Sequence, residues 1–417
     1  MSGPAERIGG AIASLAVLRE AGVLGLERPD KAARSVAALV KFGPSAAAAL
    51  ESWAVRNPSG IAVVDDAGIH TWQELADRSA GLARGLHSRG VNAGDRVGVL
   101  IRDHADFVAA IGAISRIGAD TVLLNTSFAA PQVAGVVERE SVTALVHDGE
   151  YSEAASLANV PGPCVVAWPE GAPEGSETID DLIASAPGGD PPAPGSPGRT
   201  VILTSGTTGT PKGANRSGPP SLLDAATLLE RIPLRAGRVT VIGAPLFHSW
   251  GFAHLSLASA LGSTMVLRRR FNPAQVVADS NRYGADTIAL VPVMLRRMLE
   301  LDPAEGTLAG GGVRIIALSG SALPAELAIR ATERYGHVLY NLYGSTEVAW
   351  ATIADPADIA AAPGTAGLPP RGTVLRLYDE DGSEVEQGER GRIFVGNALM
   401  FEGYTGGGNK EVINGLM

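Results

Sequence analysis

The chain has 417 residues, of which 45% are hydrophobic, and its 34 Lys and Arg against 44 Asp and Glu give a formal net charge of −10. This length predicts more than one domain, and the hydrophobic content is enough for a substantial core. The acidic balance argues against a nucleic-acid-binding protein, and a single cysteine, Cys164, excludes an intrachain disulfide and a cysteine-based metal site. We therefore expect a cytoplasmic protein in which Cys164 is a buried structural thiol.

Residues 1–44 predict a helical extension. Apolar residues between Ile8 and Leu18, including Ile12 and Leu15, recur at helical spacing, but no positive region precedes them and the stretch is too short to span a membrane. We expect this helix to pack on a neighbouring surface, with peripheral membrane contact as the minority alternative. No transmembrane segment is predicted.

From about residue 45 the sequence alternates between helical and strand patterns. The first predicted elements are a helix over 45–57, a strand over 61–64, a helix that begins at Thr71, a strand over 94–101, a helix over 105–117 and a strand over 121–124. Thr71 and Glu74 have the spacing of a capping box. Strands that alternate with helices indicate a parallel, doubly wound sheet.

A Pro- and Gly-rich connection follows over residues 186–198, and then the alternation resumes. The later predicted elements are strands over 239–245, 264–267, 287–291, 315–318 and 338–340, and helices over 251–261 and 273–283. Short strands with turn signals from Gly367 onward indicate a small β-rich subdomain. We expect two doubly wound α/β lobes over 45–362 and the β-rich subdomain over 363–417.

The basic run Arg268-Arg269-Arg270 is the tightest cluster of positive charge. We expect a solvated loop or strand end there, with steering of an anionic nucleotide or thiol cofactor as the less favoured alternative.

A stretch rich in glycine and hydroxyl side chains, residues 204–213, follows a β-branched strand pattern over 199–203. Its backbone N–H groups, hydroxyls and one ammonium group can bind a polyphosphate. The spacing is not that of a Walker A motif, and an ordinary surface loop is the alternative. The candidate phosphate-binding residues are Thr204, Ser205, Gly206, Thr207, Thr208, Gly209 and Lys212.

A second polar turn, residues 341–347, follows the strand pattern at 338–340. Tyr343 could stack on a base, Thr346 could donate to a phosphate oxygen, and the carboxylate of Glu347 suits Mg²⁺, which prefers oxygen ligands. Taken alone, the same residues would describe an ordinary turn about as well.

Together these stretches resemble the adenylate-forming superfamily, which contains acyl-CoA synthetases, luciferases and peptide-synthetase adenylation domains. Ser319-Gly320-Ser321 is similar to the family's segment beside adenine and the acyl carboxylate, and Pro245 to Phe252 is similar to its acyl-site motif. Residues 388–404 resemble its β-subdomain motif. The resemblance covers roughly residues 50–417, and the chain is most similar to a fatty acyl-CoA synthetase.

The resemblance implies the reaction and the site residues. A carboxylate attacks the α-phosphate of Mg·ATP, pyrophosphate leaves, and the acyl-AMP then reacts with the thiol of CoA. The implied catalytic residues are His248, Thr346, Glu347 and Lys212, with Glu347 as the Mg²⁺ ligand. Besides the phosphate-binding stretch, the implied nucleotide-binding residues are Ser319, Gly320, Ser321, Asn341, Tyr343, Gly344, Ser345 and Thr346. The implied acid-binding residues are His248, near the carboxylate, Trp250 and Phe252, toward the acyl tunnel, and Gly320.

The family pattern continues beyond Tyr404 with a ribose-binding Asp, a hinge and a mobile C-terminal domain that carries a catalytic Lys. None of these has a counterpart before Met417. We therefore expect the large N-terminal domain alone, which binds nucleotide and acid but performs little adenylation and almost no thioester formation.

Three functions stay open at this point. The apolar stretch from His248 to Leu257 favours a fatty acid as the substrate of a CoA ligase. An adenylating ligase that passes its acyl group to a carrier-protein thiol is the nearest alternative, and a non-catalytic nucleotide-binding module is the third. The sequence does not fix the acid or the oligomeric state.

Overall fold

The structure is a computed structural model that describes residues 4–23, 28–204, 212–215, 222–405 and 407–417. Its chain forms two compact units. The first unit takes its described residues from Met1–Gly25, Pro220–Gly243 and Asn272–Met417, and the second takes them from Leu26–Pro219 and Ala244–Phe271.

The described residues contain helices and strands in alternation. The helices are α1 (Pro4–Glu20), α2 (Pro29–Phe42), α3 (Ala46–Arg56), α4 (Trp72–Ser88), α5 (Ala105–Ile117), α6 (Ala130–Arg139), α7 (Ser152–Ala158), α8 (Ile179–Ser185), α9 (Leu222–Arg231), α10 (Ser249–Ala260), α11 (Pro273–Tyr283), α12 (Pro292–Leu299), α13 (Ala325–Tyr335) and α14 (Pro356–Ala361). The strands are β1 (Ile61–Val64), β2 (Ile69–Thr71), β3 (Arg96–Leu100), β4 (Asp120–Leu123), β5 (Ala144–His147), β6 (Cys164–Val166), β7 (Thr200–Thr204), β8 (Lys212–Asn215), β9 (Val239–Ile242), β10 (Thr264–Leu267), β11 (Thr287–Leu290), β12 (Ile315–Leu318), β13 (Leu339–Tyr343), β14 (Thr352–Ala354), β15 (Val374–Tyr378), β16 (Arg392–Gly396) and β17 (Gly403–Tyr404).

The second unit contains a mainly parallel sheet with strands in the order β8-β7-β4-β3-β5-β6. All its neighbouring pairs are parallel except β7 and β8, which form an antiparallel pair. In the same unit β1 pairs in parallel with β10 and antiparallel with β2. Helices α3, α4 and α5 pack on one another. This unit is therefore an α/β lobe in which one antiparallel strand, β8, lies beside β7.

Helix α4 begins where the capping-box spacing predicts. The Thr71 hydroxyl oxygen accepts the N–H of Glu74 at 3.2 Å, and Glu74 Oε2 accepts the N–H of Thr71 at 2.7 Å. The two bonds satisfy two backbone donors that a helix start otherwise leaves unpaired. The capping-box prediction is confirmed.

The first unit contains strands in the order β14-β13-β12-β11-β9. The pairs from β9 to β13 are parallel, and β14 is antiparallel to β13. Strands β15 and β16 form a separate antiparallel pair. Among the described residues of 363–417 there are strands and no helix. The prediction of an α/β fold with parallel sheets is confirmed.

Two details of the sequence-based description are wrong. Cys164 is exposed rather than buried, because it begins β6 at the outer edge of its sheet. In α1, Leu18 is buried but Ile12 and Leu15 are 63% and 50% exposed. Three residues turn a helix by about 300°, which is about 60° short of a full turn. Over the two such steps from Ile12 to Leu18, the side-chain directions therefore differ by about 120°.

None of the described helices is long and apolar enough to cross a bilayer.

Candidate active site

Polar segments lie at the carboxyl ends of two neighbouring strands of the first unit. Ser319-Gly320-Ser321 comes directly after β12, and Asn341 to Tyr343 forms the end of β13. The strands are parallel, with Leu318 opposite Asn341, so both segments lie at the same edge of the sheet. The carboxyl edge of a parallel sheet is where α/β proteins bind ligands.

Asn341 and Tyr343, both at this edge of the sheet, differ in their exposure to solvent. Asn341 is buried, and among the described residues its Oδ1 has no hydrogen-bond partner. Tyr343 is 42% exposed. A buried unpaired amide oxygen is a candidate acceptor for a ligand donor, and an exposed phenol ring is available for stacking on a base.

The turn after β13 depends on glycine at position 344. A β-carbon there would lie 2.2 Å from the carbonyl oxygen of Ala349 and 2.8 Å from Cα of Trp350. No side chain fits at those distances, so Gly344 lets the two sides of the turn meet. The turn holds Ser345 and Thr346 before it reaches Glu347.

Glu347 is buried, and hydroxyl and ammonium groups contact its carboxylate. Tyr404 donates its hydroxyl hydrogen to Glu347 Oε1 at 2.5 Å, and Lys410 Nζ lies 3.7 Å from the same oxygen. Burial raises the pKa of Glu347, but the hydrogen bonds of Tyr404 and Ser345 and the charge of Lys410 outweigh it and hold that pKa below its ordinary value. The group is therefore ionised at neutral pH.

A cavity of about 310 Å³ opens beside this carboxylate. Its lining includes Tyr343, Gly344, Ser345, Glu347, Phe394 and Lys410. The structure thus brings together, in one unit, the predicted base-stacking residue and the predicted metal ligand.

The donor set fits Mg²⁺ held jointly by protein and nucleotide. No group of three His, Cys, Asp or Glu side chains among the described residues could hold a metal. Mg²⁺ commonly takes one or two carboxylates together with phosphate oxygens, and Glu347 provides one ionised carboxylate at the cavity.

The glycine- and hydroxyl-rich stretch lies mostly outside the described residues. That applies to Ser205, Gly206, Thr207, Thr208 and Gly209. The backbone is described at Thr204, where β7 ends, and at Lys212, where β8 begins. These two residues pair across the antiparallel strands. The strand before the stretch was predicted, whereas β8 was not, because its four residues, Lys212–Asn215, show no strand alternation.

The acyl-site motif lies in the second unit, at the start of α10. His248 is exposed and occupies the N-cap position, Trp250 is buried, and Phe252 is half-buried. A β-carbon on Gly251 would lie 2.2 Å from the carbonyl oxygen of Pro245, so glycine is needed for the loop to fold back on the helix. The ring of Trp250 meets that of His254 edge to face, with centroids 4.4 Å apart.

The sequence analysis missed Asp103 as a partner of this loop. Its Oδ1 accepts the N–H of Leu246 at 3.0 Å. Burial raises the pKa of Asp103 to about 7, despite that hydrogen bond and the nearby charges of His104 and Arg102. Its position just beyond β3, at the carboxyl edge of a parallel sheet, is the signal that could have identified it.

The basic run Arg268-Arg269-Arg270 is less solvated than the sequence predicted. Arg269 has a side chain only 13% exposed, and it contacts Glu150 at 2.8 Å and Glu170 at 3.2 Å. Its guanidinium also lies 4.4 Å from the ring centroid of Trp168. Arg270 is exposed but pairs with Glu150 at 3.0 Å. The expected loop position is right, but acidic partners within the second unit neutralise these two charges.

The profile of the AMP-binding enzyme family matches residues 50–405. The chain belongs to the AMP-binding enzyme family. The matched range includes the glycine- and hydroxyl-rich stretch 204–213, the acyl-site motif 245–252 and the polar segments 319–321 and 341–347.

Three relatives illustrate the range of the family around this chain. A feruloyl-CoA synthase of an Amycolatopsis species is 29% identical over 369 residues, which cover 86% of this chain and 72% of that enzyme. A 4-hydroxybenzoate–CoA/benzoate–CoA ligase of Rhodopseudomonas palustris is 28% identical over 353 residues, which cover 82% of this chain and 65% of the ligase. A probable non-canonical nonribosomal peptide synthetase of Salinispora arenicola is 30% identical over 361 residues, 85% of this chain and 4% of that protein.

Solved structures of one bacterial enzyme have the same fold. The o-succinylbenzoate CoA synthetase of Bacillus subtilis, in complex with its acyl-adenylate intermediate, superposes with a TM-score of 0.75 at 25% identity, over 88% of this chain and 74% of that one. The same enzyme in complex with ATP and magnesium ion gives a TM-score of 0.72 at 25% identity, over 86% and 72% of the two chains. This chain is therefore an α/β AMP-binding domain of the kind found in acid–CoA ligases.

Proposed function

We propose that this AMP-binding domain activates an aromatic carboxylic acid with ATP, forming an acyl-AMP whose acyl group passes to CoA. The observation that carries the choice of acid is the similarity, across more than four fifths of the chain, to enzymes named for feruloyl and hydroxybenzoyl groups. An aromatic acid therefore replaces the fatty acid as the substrate that we favour. The earlier prediction of a fatty acid is tested by the same experiment.

The proposed roles rest on the positions of the described residues and, for the glycine- and hydroxyl-rich stretch, on its sequence pattern alone. Tyr343 stacks on the adenine, and Asn341 and Ser319-Gly320-Ser321 line the nucleotide at the edge of β12 and β13. Gly344, Ser345 and Thr346 approach the phosphates, and Glu347 holds Mg²⁺. The residues Thr204, Ser205, Gly206, Thr207, Thr208, Gly209 and Lys212 bind the polyphosphate.

The chemistry requires positioning and charge neutralisation more than proton transfer. Mg²⁺, when bound, neutralises charge on the phosphates. The backbone and hydroxyl donors of the chain hold the α-phosphate in line with the incoming carboxylate, which His248 orients. Phe252, which follows the buried Trp250 on α10, offers a partly exposed apolar ring on which an aromatic acid can pack.

The half-buried acyl motif is consistent with a compact acid. Trp250 is buried and its ring packs against that of His254, whereas Phe252 is half-buried. A ring-sized acid can pack on the one partly exposed ring, whereas a long alkyl chain needs an extended channel.

The test is acid-dependent exchange of labelled pyrophosphate into ATP, measured separately with benzoate, 4-hydroxybenzoate, ferulate, dodecanoate and hexadecanoate. We expect exchange with one or more aromatic acids and little with the two fatty acids. Exchange with the fatty acids alone would replace the aromatic assignment by the fatty-acid one. Tight nucleotide binding without exchange for any acid would favour a non-catalytic nucleotide-binding module.

The acceptor of the acyl group needs its own measurement. The similarity to a peptide synthetase keeps a carrier-protein thiol as the second candidate. We expect acyl-CoA when CoA is added to the activated acid. Transfer to a phosphopantetheinylated carrier protein but not to free CoA would contradict the CoA assignment. A cytoplasmic location remains a prediction, and peripheral membrane contact stays the less favoured alternative.

A further inference from the structure

One asparagine that the proposed roles do not use holds the loop that carries Glu347. Residues 344–351 form this loop, between β13 and β14. Asn397 follows β16, and its Nδ2 donates to the carbonyl oxygen of Val348 at 2.8 Å and to that of Trp350 at 2.9 Å. A single side-chain amide therefore fastens two positions of the loop, directly after the carboxylate that we propose as the Mg²⁺ ligand.

The amide of Asn397 is itself held in one orientation. Its Oδ1 accepts the N–H of Leu399 at 2.8 Å, so its oxygen faces a donor and its nitrogen faces two acceptors. Apolar packing supports the contact, because Val348 and Ala351 of the loop form one buried cluster with Val395 of β16. The amide is thus positioned by the chain before any ligand binds.

The residue between the two fastened carbonyl groups has an unfavourable backbone conformation. Ala349 has a φ of 62°, and the N–H of Trp350 donates to the carbonyl oxygen of Val348 at 2.8 Å. A positive φ under such a bond is the pattern of a classic γ-turn, which is rare and strained. Strain of this kind persists only where surrounding contacts hold the conformation. Asn397 provides such contacts on both sides of Ala349.

The segment after β16 also contacts Glu347 directly. The N–H of Phe401 donates to the carbonyl oxygen of Glu347 at 2.7 Å, and Tyr404 donates to its carboxylate at 2.5 Å. Asn397 adds the contacts that hold the strained residues following Glu347. Groups that orient a metal ligand from behind commonly change metal affinity about 10- to 100-fold when they are replaced.

We propose that Asn397 is a positioning residue for the binding of Mg·ATP. It holds the strained turn at Ala349 and thereby sets the carboxylate of Glu347 at the position where the metal ion on the nucleotide phosphates binds. This inference rests on the proposed role of Glu347 as the Mg²⁺ ligand. Asn397 acts through Glu347 and is assigned no contact with the metal or the nucleotide.

The test measures binding rather than turnover. The Kd for ATP is determined by calorimetry without acid, once with saturating Mg²⁺ and once with EDTA. For Asn397→Ala we expect the Kd with Mg²⁺ to rise about tenfold, while the Kd with EDTA stays within about twofold. In pyrophosphate exchange the Mg²⁺ concentration that gives half the maximal rate should also rise, while the KM for the acid stays within about twofold.

A double-mutant cycle shows whether Asn397 acts through the carboxylate. Glu347→Gln should reduce the effect of Mg²⁺ on ATP binding in the same way. If the two residues act as one unit, adding Asn397→Ala to Glu347→Gln should cause no further loss of that effect.

Two more variants test the route through the strained turn. Glycine adopts a positive φ without the penalty that a β-carbon brings, so we expect Ala349→Gly to restore most of the Mg²⁺ effect that Asn397→Ala loses. Asn397→Ser keeps one hydroxyl donor and should give a smaller loss. It supplies the test if Asn397→Ala does not fold.

Asn281 provides a matched control in the same unit. Its Nδ2 donates to the carbonyl oxygen of Thr307 at 2.9 Å, and its Oδ1 accepts the N–H of Ala309 at 2.7 Å. This amide also fastens a loop, but one that carries none of the proposed site residues. Asn281→Ala should lower the Tm, as Asn397→Ala does, and leave the effect of Mg²⁺ on ATP binding unchanged.

The outcomes separate the inference from the function on which it rests. An unchanged Mg²⁺ effect in Asn397→Ala, or an equal loss in Asn281→Ala, would show a merely structural asparagine and overturn the inference while the proposed function stands. Independent losses from Asn397→Ala and Glu347→Gln would also overturn it, as would a loss that Ala349→Gly does not relieve. If Mg²⁺ does not tighten ATP binding by the unsubstituted chain, Glu347 loses its proposed role and the inference falls with it.

Discussion

Tyr404 and Glu347 lie 57 positions apart in the sequence, yet their side-chain oxygens are 2.5 Å apart in the first unit. The tyrosine hydroxyl donates to a carboxylate that is 8% exposed. A charge-assisted hydrogen bond of this kind is stronger than a neutral one. It ties the turn after β13 to β17 and holds in place the carboxylate that we propose as the Mg²⁺ ligand.

Replacement of Tyr404 by Phe should lower the stability of the protein. The variant leaves a buried carboxylate oxygen without its donor, so we expect the free energy of unfolding to fall by about 1–3 kcal/mol. Urea denaturation measures this change. Tyr335→Phe is the matched control, because the hydroxyl of Tyr335 has no partner among the described residues and its loss should be neutral or stabilising. Equal effects of the two substitutions would contradict the structural role of Tyr404.

Replacement of Glu347 by Gln should reduce adenylation sharply. Glutamine keeps the shape but removes the negative charge that Mg²⁺ requires, so we expect acid-dependent pyrophosphate exchange to fall about 100-fold or more and to need more Mg²⁺. The exchange rate is measured against Mg²⁺ concentration. Glu402→Gln, an exposed carboxylate near the same turn, should change neither value. An unchanged rate for Glu347→Gln would remove its proposed role.

Replacement of Asp103 by Asn should change how stability depends on pH. Because its pKa is raised to about 7 in the folded chain, and is about 3.9 in an unfolded one, the folded state binds the proton more tightly between these values. The contribution of Asp103 to stability is therefore present at low pH and is lost as the pH rises toward 7. Asparagine cannot ionise, so we expect the Tm of Asp103→Asn relative to the unsubstituted chain to be higher at pH 8 than at pH 5.

The control for this titration is a surface aspartate. Asp77 is exposed on α4 and its Oδ1 accepts a hydrogen bond from Gln73 at 2.9 Å, which asparagine can also accept. Asp77→Asn should show the same difference in Tm at both pH values. A pH-independent difference for Asp103→Asn would contradict the raised pKa.

Replacement of Gly344 by Ala should disturb the turn that carries Thr346 and Glu347. The added carbon would lie 2.2 Å from a backbone oxygen, so the turn must move, and we expect a loss of stability of about 1–3 kcal/mol together with weaker ATP binding. Thermal denaturation and ATP titration measure the two effects. Gly135→Ala on α6 is the opposite control: its β-carbon meets nothing within 4 Å, and a gain of about 0.5–1 kcal/mol is expected.

Much of the α/β alternation could be read from the sequence because periodicity and caps are local. Helix α5 occupies Ala105–Ile117 as predicted, and the capping box of α4 forms with both of its hydrogen bonds. The end of β12 at Leu318 could also be placed, since the strand is an apolar run followed by polar residues. The predicted end of the next strand at residue 340 was wrong, because β13 continues through polar residues to Tyr343. Parallel pairing then brings Ser319 and Asn341 to one edge.

What the sequence did not reveal depends on contacts between distant residues. The bond from Leu246 to Asp103 joins residues 143 positions apart, and the acidic partners of Arg269 come from the segment around Glu150. No local pattern encodes such pairs. Likewise, the helical spacing around His254 does not show that its ring would be buried, with no partner for Nδ1 among the described residues. The short strand β8 carried no periodic signal.

The most direct test of the central claim is a competition. The chain is incubated with ATP and Mg²⁺ and an equimolar mixture of 4-hydroxybenzoate, ferulate, dodecanoate and hexadecanoate, and the acyl-AMP products are quantified by mass spectrometry. We expect the adenylate of 4-hydroxybenzoate or ferulate to dominate. Fatty acyl-AMP as the main product would contradict the aromatic assignment, and the absence of any acyl-AMP would contradict adenylation by this chain.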